Sequence, residues 1–320
     1  MNHPVIRDVR HTIDIAAQPR LVHRLLADAV QWPELFPPTV HVERTALDGG
    51  REQLRIWALA GEEVRAWTSE RRILPAELAI DFVQQQSAAP VAAMSGRWEI
   101  GELPDGGSRV VLTHRFSAVG DDPASLAWIE EATDRNSGTE LAALRSAAER
   151  HREGSALRHS FEDSVVIRAS AQEIYDYLYR ADLWPQRLPH VARVELTESR
   201  PGRQLLEMDT RSPDGSAHTT RSVRIGLTPH TLVYKQTLLP AAFTAHTGRW
   251  TLAPEPGAGP GATRATSHHT VVLDPEQILG LPGVDSLQQG HDVVRHALGT
   301  NSLTTLRAAK AHLEKAASLA

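Results

Sequence analysis

The chain has 320 residues and no cysteine. That absence removes disulfides, thiol nucleophiles and thiolate metal sites at once. Methionine (three), tyrosine (four) and phenylalanine (five) are scarce. No run of about 18 apolar residues is present, and the opening "MNHPVIRDVRHTIDI" lacks an apolar signal core. A membrane span and a secretory route are therefore not expected, and the chain reads as cytoplasmic. Net charge is −5, with acidic and basic residues interleaved and no basic block, so nucleic acid is not an expected partner. The sequence also lacks a Gly-rich phosphate loop, zinc-ligand spacing and a serine elbow. Neither a cofactor nor a metal is expected. Sixteen histidines are present; His291 and His296 are five apart, do not share a helix face and make a poor metal site.

What is present is a duplication. "GRW" occurs at 96–98 and 248–250, each time downstream of a Trp-Pro pair. Trp32 and Trp184 are 152 residues apart, and so are Trp98 and Trp250. The same offset matches Ile15 with Ile167, Leu26 with Leu178, Pro33 with Pro185 and Phe82 with Tyr234. A longer loop then shifts the register so that His114 aligns with His269, and "RNSGTELAAL" with "TNSLTTLRAA". A period this long is a whole domain and not a solenoid repeat. The polar stretch at 149–158 divides the copies, giving domains at 1–152 and 158–320.

Each copy reads in one order. An alternating strand is followed by a short helix that Trp-Pro terminates; in the second copy Ser170 is the N-cap with Glu173 three residues later. Strand-like runs come next, near 39–46, 52–59, 63–74, 77–84, 94–102 and 108–117 in the first copy. A long helical segment closes each copy. One helix covers an antiparallel sheet incompletely, which predicts a cavity between them. The expected class is α+β. The four repeated tryptophans, Trp32, Trp98, Trp184 and Trp250, read either as walls of that cavity or as ordinary core.

The chain resembles the two-domain polyketide aromatase/cyclases of bacterial aromatic polyketide pathways, through "WPELF" (32–36), "WTSERRI" (67–73), "GRW", "LTHRF" (112–116) and "RNS" (135–137). The resemblance covers nearly the whole length. It implies two tandem helix-grip (START/Bet v 1-like) domains, each a curved antiparallel sheet wrapped around a long C-terminal helix with an interior cavity. It also implies the activity: first-ring cyclisation, dehydration and aromatisation of a poly-β-ketone, ketoreduced at one carbonyl and held on an acyl carrier protein. Ketosynthase and ketoreductase of the same pathway are further candidate partners.

Such chemistry needs a base, an acid and a partner for enolate oxygen. Strand alternation puts Trp67, Ser69 and Arg71 on one face. Arginine cannot serve as a base but can hold an oxyanion. His114 and His269 are candidates for acid/base work near neutral pH, or else core histidines with satisfied nitrogens. Asn136 and Asn301 either donate to a substrate carbonyl or cap a helix kink. The 152 offset places Val223 opposite Arg71, so Arg221 or Arg224 would have to substitute. Because the second copy gathers Tyr175, His190, Arg221, Arg224 and His269, the sequence favours it as the site of chemistry. Its extra segment "DPEQILGLPGVDS" reads as a lid. The competing expectations are a non-catalytic START-like carrier of a lipid, quinone or polyketide, and a scaffold with no open cavity.

Overall fold

A computed structural model describes residues 4–150, 155–211, 217–228, 231–259 and 261–317. The chain divides into two compact units, Met1–Gly154 and Ser155–Ala320.

In the first unit, β1 (Arg7–Ile15), β2 (Thr39–Ala46), β3 (Arg51–Ala60), β4 (Glu63–Leu74), β5 (Ala79–Gln86), β6 (Val91–Glu102) and β7 (Ser108–Ala118) form one seven-stranded sheet ordered β1-β7-β6-β5-β4-β3-β2. Every neighbouring pair is antiparallel. The strands follow from alternation: along β7, Val110, Leu112 and Phe116 are buried while Arg109 and Arg115 are exposed. Helices α1 (Pro19–Ala27) and α2 (Trp32–Leu35) carry the chain from one sheet edge to the other. The sequence predicts that the Trp-Pro pair ends the first helix, and it does not. α1 already stops at Ala27, and Pro33 sits in the first turn of α2, where its missing N–H leaves no bond unmade.

Helix α3 (Pro123–Arg150) packs on β1 and β7. The Asp122 carboxylate accepts from the Ser125 N–H at 2.8 Å and caps its start. The inward stripe of α3 changes character along its length. Leu141, Leu144 and Ala148 fill the end beneath Ile15, Val22, Leu26 and Trp98. Ala132, Thr133, Asn136 and Ser137, one to two turns earlier, are too small to reach the sheet, and that end stays hollow.

The second unit repeats the plan with β8 (Arg158–Ile167), β9 (Val191–Arg200), β10 (Arg203–Arg211), β11 (Ala217–Thr228), β12 (Thr231–Leu238), β13 (Phe243–Pro254) and β14 (Thr263–Leu273), ordered β8-β14-β13-β12-β11-β10-β9. α4 (Ala171–Tyr179) starts with the Ser170/Glu173 capping box that its sequence predicts. α5 (Trp184–Arg187), α6 (Pro275–Leu279) and α7 (Leu287–Ala317) follow. The segment read as a lid is packed in place: Ile278 and Val284 are buried against Val271, Leu273 and Val294. Among the described residues, no helix is long and apolar enough to cross a membrane.

Candidate active site

In the first unit the hollow consists of two joined chambers. The outer one, about 170 Å³, is lined by Ala58, Ala60 and Arg65 from the sheet and by Trp128, Thr133 and Asn136 from α3. The inner one, about 120 Å³, is walled by Trp32, Phe36, Ile80, Phe82, Trp98, Ser69 and Arg71. Trp67, Gln84, Met94, His114 and Glu140 line both and so form the neck.

The inner wall is rigid. Phe36 stacks on Trp98 (centroids 6.5 Å apart) and meets Trp32 edge-on at 5.5 Å. The Trp32 Nε1–H donates to the Leu26 carbonyl at 3.2 Å. The repeated "GRW" has a direct cause. Gly96 lies opposite Phe82 in the β5–β6 register, and a Cβ at position 96 would overlap the Phe82 ring. Gly248 stands in the same relation to Tyr234. The glycine is a seat for an inward aromatic ring, and the tryptophan two residues on is the next inward side chain along the strand.

Arg71 is 2% exposed, with its guanidinium 5.0 Å above the Trp32 ring. It donates to the Leu26 carbonyl at 2.8 Å, to the Ala27 carbonyl and to the Glu52 carboxylate. Two of its five N–H donors thus tie β4 to the end of α1 and a third ties it to β3, and the residue still borders the inner chamber. Ser69 Oγ donates to the Val83 carbonyl at 3.1 Å.

The neck brings two titratable side chains together. Burial pushes the His114 imidazole down to about 4, its Nδ1 has no hydrogen-bond partner among the described residues, and the ring meets Phe82 edge-on at 5.5 Å. Glu140, facing it from α3, is pushed up to about 7 by desolvation. Near neutral pH the site therefore holds a neutral imidazole able to accept a proton and a carboxyl able to give one. The sequence reading passed over Glu140. The signal was there: Thr133, Asn136, Ser137 and Glu140 follow at helical spacing, placing an acid inside a buried stripe.

Of the residues that the sequence brings together in the second unit, Tyr175 and Arg224 lie within electrostatic reach of each other, whereas Arg221 is turned to solvent. His269 is enclosed by its own partners: Nδ1 meets the Tyr234 hydroxyl at 2.9 Å and His246 Nε2 at 3.1 Å, and Nε2 meets the hydroxyls of Ser302 at 2.6 Å and Ser267 at 3.2 Å. Burial holds His269 neutral, down to about 4, and His246 likewise, down to about 3. It is a satisfied core histidine. In the repeat, Thr305 stands where Glu140 stands, and its hydroxyl donates to the Asn301 carbonyl at 3.0 Å. Asn301 is exposed, whereas Asn136 borders the outer chamber.

Arg221 is exposed and pairs with Glu207 at 2.5 Å on the solvent side of the sheet, because alternation turns it away from the inward Arg224. Arg224, not Val223, is the counterpart of Arg71. It donates to the Leu178 carbonyl, to the Tyr179 carbonyl at 3.2 Å and to Gln204 Oε1 at 2.8 Å, and lies 5.0 Å above Trp184. Tyr175 stacks on Tyr179 and covers Gly226. His190 is half-buried beyond α5, and burial lowers its basicity. Trp184 packs with Leu188, Val191 and Leu206, and Trp250 with Leu232 and Leu252, both as core. In the second unit, which the sequence favours for the chemistry, the central imidazole is enclosed by its own partners, and Asp163, whose charge acts on it, is paired with Arg295.

Comparison with known proteins agrees with this architecture. Residues 7–149 and 158–314 each match the family model described as "Polyketide cyclase / dehydrase and lipid transport". The chain is 41% identical over 315 residues to the granaticin polyketide synthase bifunctional cyclase/dehydratase of Streptomyces violaceoruber, covering 98% of this chain and 96% of that one. It is 40% identical to the actinorhodin polyketide synthase bifunctional cyclase/dehydratase of Streptomyces coelicolor, covering 97% and 98%. Among solved structures it is similar to the di-domain ARO/CYC BexL from the BE-7585A biosynthetic pathway, with a TM-score of 0.82, 46% identity and coverage of 96% and 98%.

Proposed function

The chain belongs to the polyketide cyclase/dehydrase and lipid transport family, and from that premise we propose that it is an aromatase/cyclase whose chemistry takes place in the first unit. The substrate is a poly-β-ketone, ketoreduced at one carbonyl and presented as a thioester on an acyl carrier protein. The distal end of the chain enters through the outer chamber and lodges against Trp32, Phe36 and Trp98. A methylene flanked by two carbonyls then lies at the neck.

His114 removes a proton from that methylene, and the resulting enolate carbon attacks a carbonyl further along the chain, forming one C–C bond. Glu140 gives its proton to the alkoxide. The His114 imidazolium returns its proton to the Glu140 carboxylate, which resets the pair before each further step, and elimination follows: His114 takes a proton from the neighbouring carbon while Glu140 protonates the leaving hydroxyl, which departs as water. Loss of the second hydroxyl, supplied by the earlier ketoreduction, aromatises the ring without an oxidant. Beyond its bonds to Glu52, Leu26 and Ala27, Arg71 offers its remaining N–H groups to a carbonyl oxygen in the inner chamber. Asn136 is placed to orient the chain in the outer chamber.

The observation that carries this reading is the meeting of His114 and Glu140 at the neck. A carrier of apolar ligands gains nothing from a desolvated carboxyl in its cavity, and a scaffold needs no cavity. The test is to reconstitute the minimal synthase with His114→Ala and Glu140→Gln and to analyse products by mass spectrometry. Each variant is expected to lower the directed first-ring product by about 10²-fold or more, with undirected condensation products in its place. Unchanged product from both overturns the assignment.

A further inference from the structure

Of the five side chains at the neck, His114 and Glu140 transfer protons and Trp67 is a stiff wall. Gln84 and Met94 have neither task. They project inward from β5 and β6, and Gln84 Nε2 lies 3.4 Å from Met94 Sδ, a weak contact because a thioether is a poor acceptor. Phe82, below them, is seated over Gly96 and held against His114. Met94 packs against the cluster of Phe116, Ala118, Leu126 and Ile129 and is the unbranched apolar side chain at the constriction. An unbranched thioether adapts to irregular space and can be resized without removing any hydrogen-bonded core group.

We infer that Met94, steadied by Gln84, is a specificity-determining residue that sets how much of the poly-β-ketone passes into the inner chamber, and so which methylene stops beside His114. The inference rests on the reading proposed above. With the thioester held outside and the methyl end inside, deeper entry brings a methylene nearer the thioester to His114. Shallower entry presents one nearer the methyl end. Misplacement by about 1 Å costs on the order of 10²-fold in rate, so a residue that fixes depth also fixes the ring.

The experiment is product analysis of the reconstituted synthase with the full-length chain carrying Met94→Ala, Met94→Phe or Met94→Leu, beside His114→Ala. Near-ultraviolet circular dichroism serves as the folding control. Met94→Ala is expected to lower the ratio of native to alternative ring-closed product by about tenfold or more, the discrimination that a few methylenes supply, with the new closures nearer the thioester. Met94→Phe is expected to move closure toward the methyl end, and Met94→Leu to keep the native ratio. Native ratios in the Ala and Phe variants, with His114→Ala still inactive, would sink this inference and leave the acid/base reading standing. Loss of all ring-closed product from a folded Met94→Leu variant would assign Met94 to the chemistry and overturn a specificity role. Native product from His114→Ala takes down both.

Discussion

The ring of Phe82 occupies the space into which any side chain at Gly96 would project: a Cβ there would lie 2.9 Å from Phe82 Cε1 and closer still to Cζ and to the Thr113 carbonyl. The close approach lets an aromatic ring on β5 lie against β6 and present its edge to His114. Gly96→Ala is therefore expected to push Phe82 into the inner chamber and to destabilise the first unit by about 1–3 kcal/mol, the usual cost of overpacking. Denaturant titration measures the loss. Adding Phe82→Leu to the variant is expected to recover part of it, because the two positions share one space.

Arg71 and Arg224 make the same bonds with one difference that has an energetic consequence. Arg71 faces the Glu52 carboxylate, whereas Arg224 faces the neutral Gln204 amide, and desolvation pulls Arg224 down to about 10. Removing Arg71 leaves a carboxylate that is only 12% exposed with the distant Arg44, 3.9 Å away, in place of its close partner. Arg71→Met is expected to cost about 3–5 kcal/mol, and Arg224→Met markedly less. Glu52→Gln placed on top of Arg71→Met should restore part of the stability. Equal losses at the two arginines, measured by chemical denaturation, would contradict this account.

The duplication, the strands and the closing helices were legible because they depend on local signals, namely alternation, turn residues and the Trp-Pro landmarks. The Arg71 counterpart was not. β10 keeps the 152 offset, with Gln204 matching Glu52, but Gln204 pairs with Arg224 where Glu52 pairs with Arg71. One residue is gained between β10 and β11 and given back before Tyr234, with a register irregularity at Arg221/Ser222. A shift of one residue exchanges the faces of a strand, so counting along the chain selected the wrong side chain. The closure of His269 was equally hidden, since its partners arrive from β12, β13 and α7. Of the partners only Ser267, in "SHH" itself, is local.

Glu140 gives the first unit a distinctive pH dependence. Its folded-state pKa is raised to about 7 by burial, so the protonated form is favoured on folding. That contribution is complete below the ordinary carboxylate range and is lost as pH climbs through about 7. His114, lowered to about 4, acts in the opposite sense: its contribution is present above the ordinary histidine range and is lost as pH falls through about 4. Product formation should follow a bell with limbs near these two values. Glu140→Gln should be more stable than the parent at pH 8, by about 2 kcal/mol, and nearly equal to it at pH 4.5. Denaturation midpoints at both pH values measure the difference, and a Glu140→Gln variant no more stable at pH 8 would refute the burial of an ionisable carboxyl.

The two histidines of the repeat should separate function from stability. His114 Nδ1, beside a cavity, has no hydrogen-bond partner among the described residues, so His114→Ala removes little that holds the first unit together, about 1 kcal/mol or less. His269 is the hub for two serines, a tyrosine and a second histidine, all enclosed. Removing it leaves several buried polar groups short of a partner, each at a desolvation cost, for a total of about 3 kcal/mol or more. His269→Ala should therefore lower the unfolding midpoint strongly while any folded fraction, assayed below that midpoint, still forms the native first ring. His114→Ala should do the reverse. If a folded His269→Ala protein instead lost the directed product at unchanged stability, the second unit would have to take part in the chemistry, and placing catalysis in the first unit alone would be wrong.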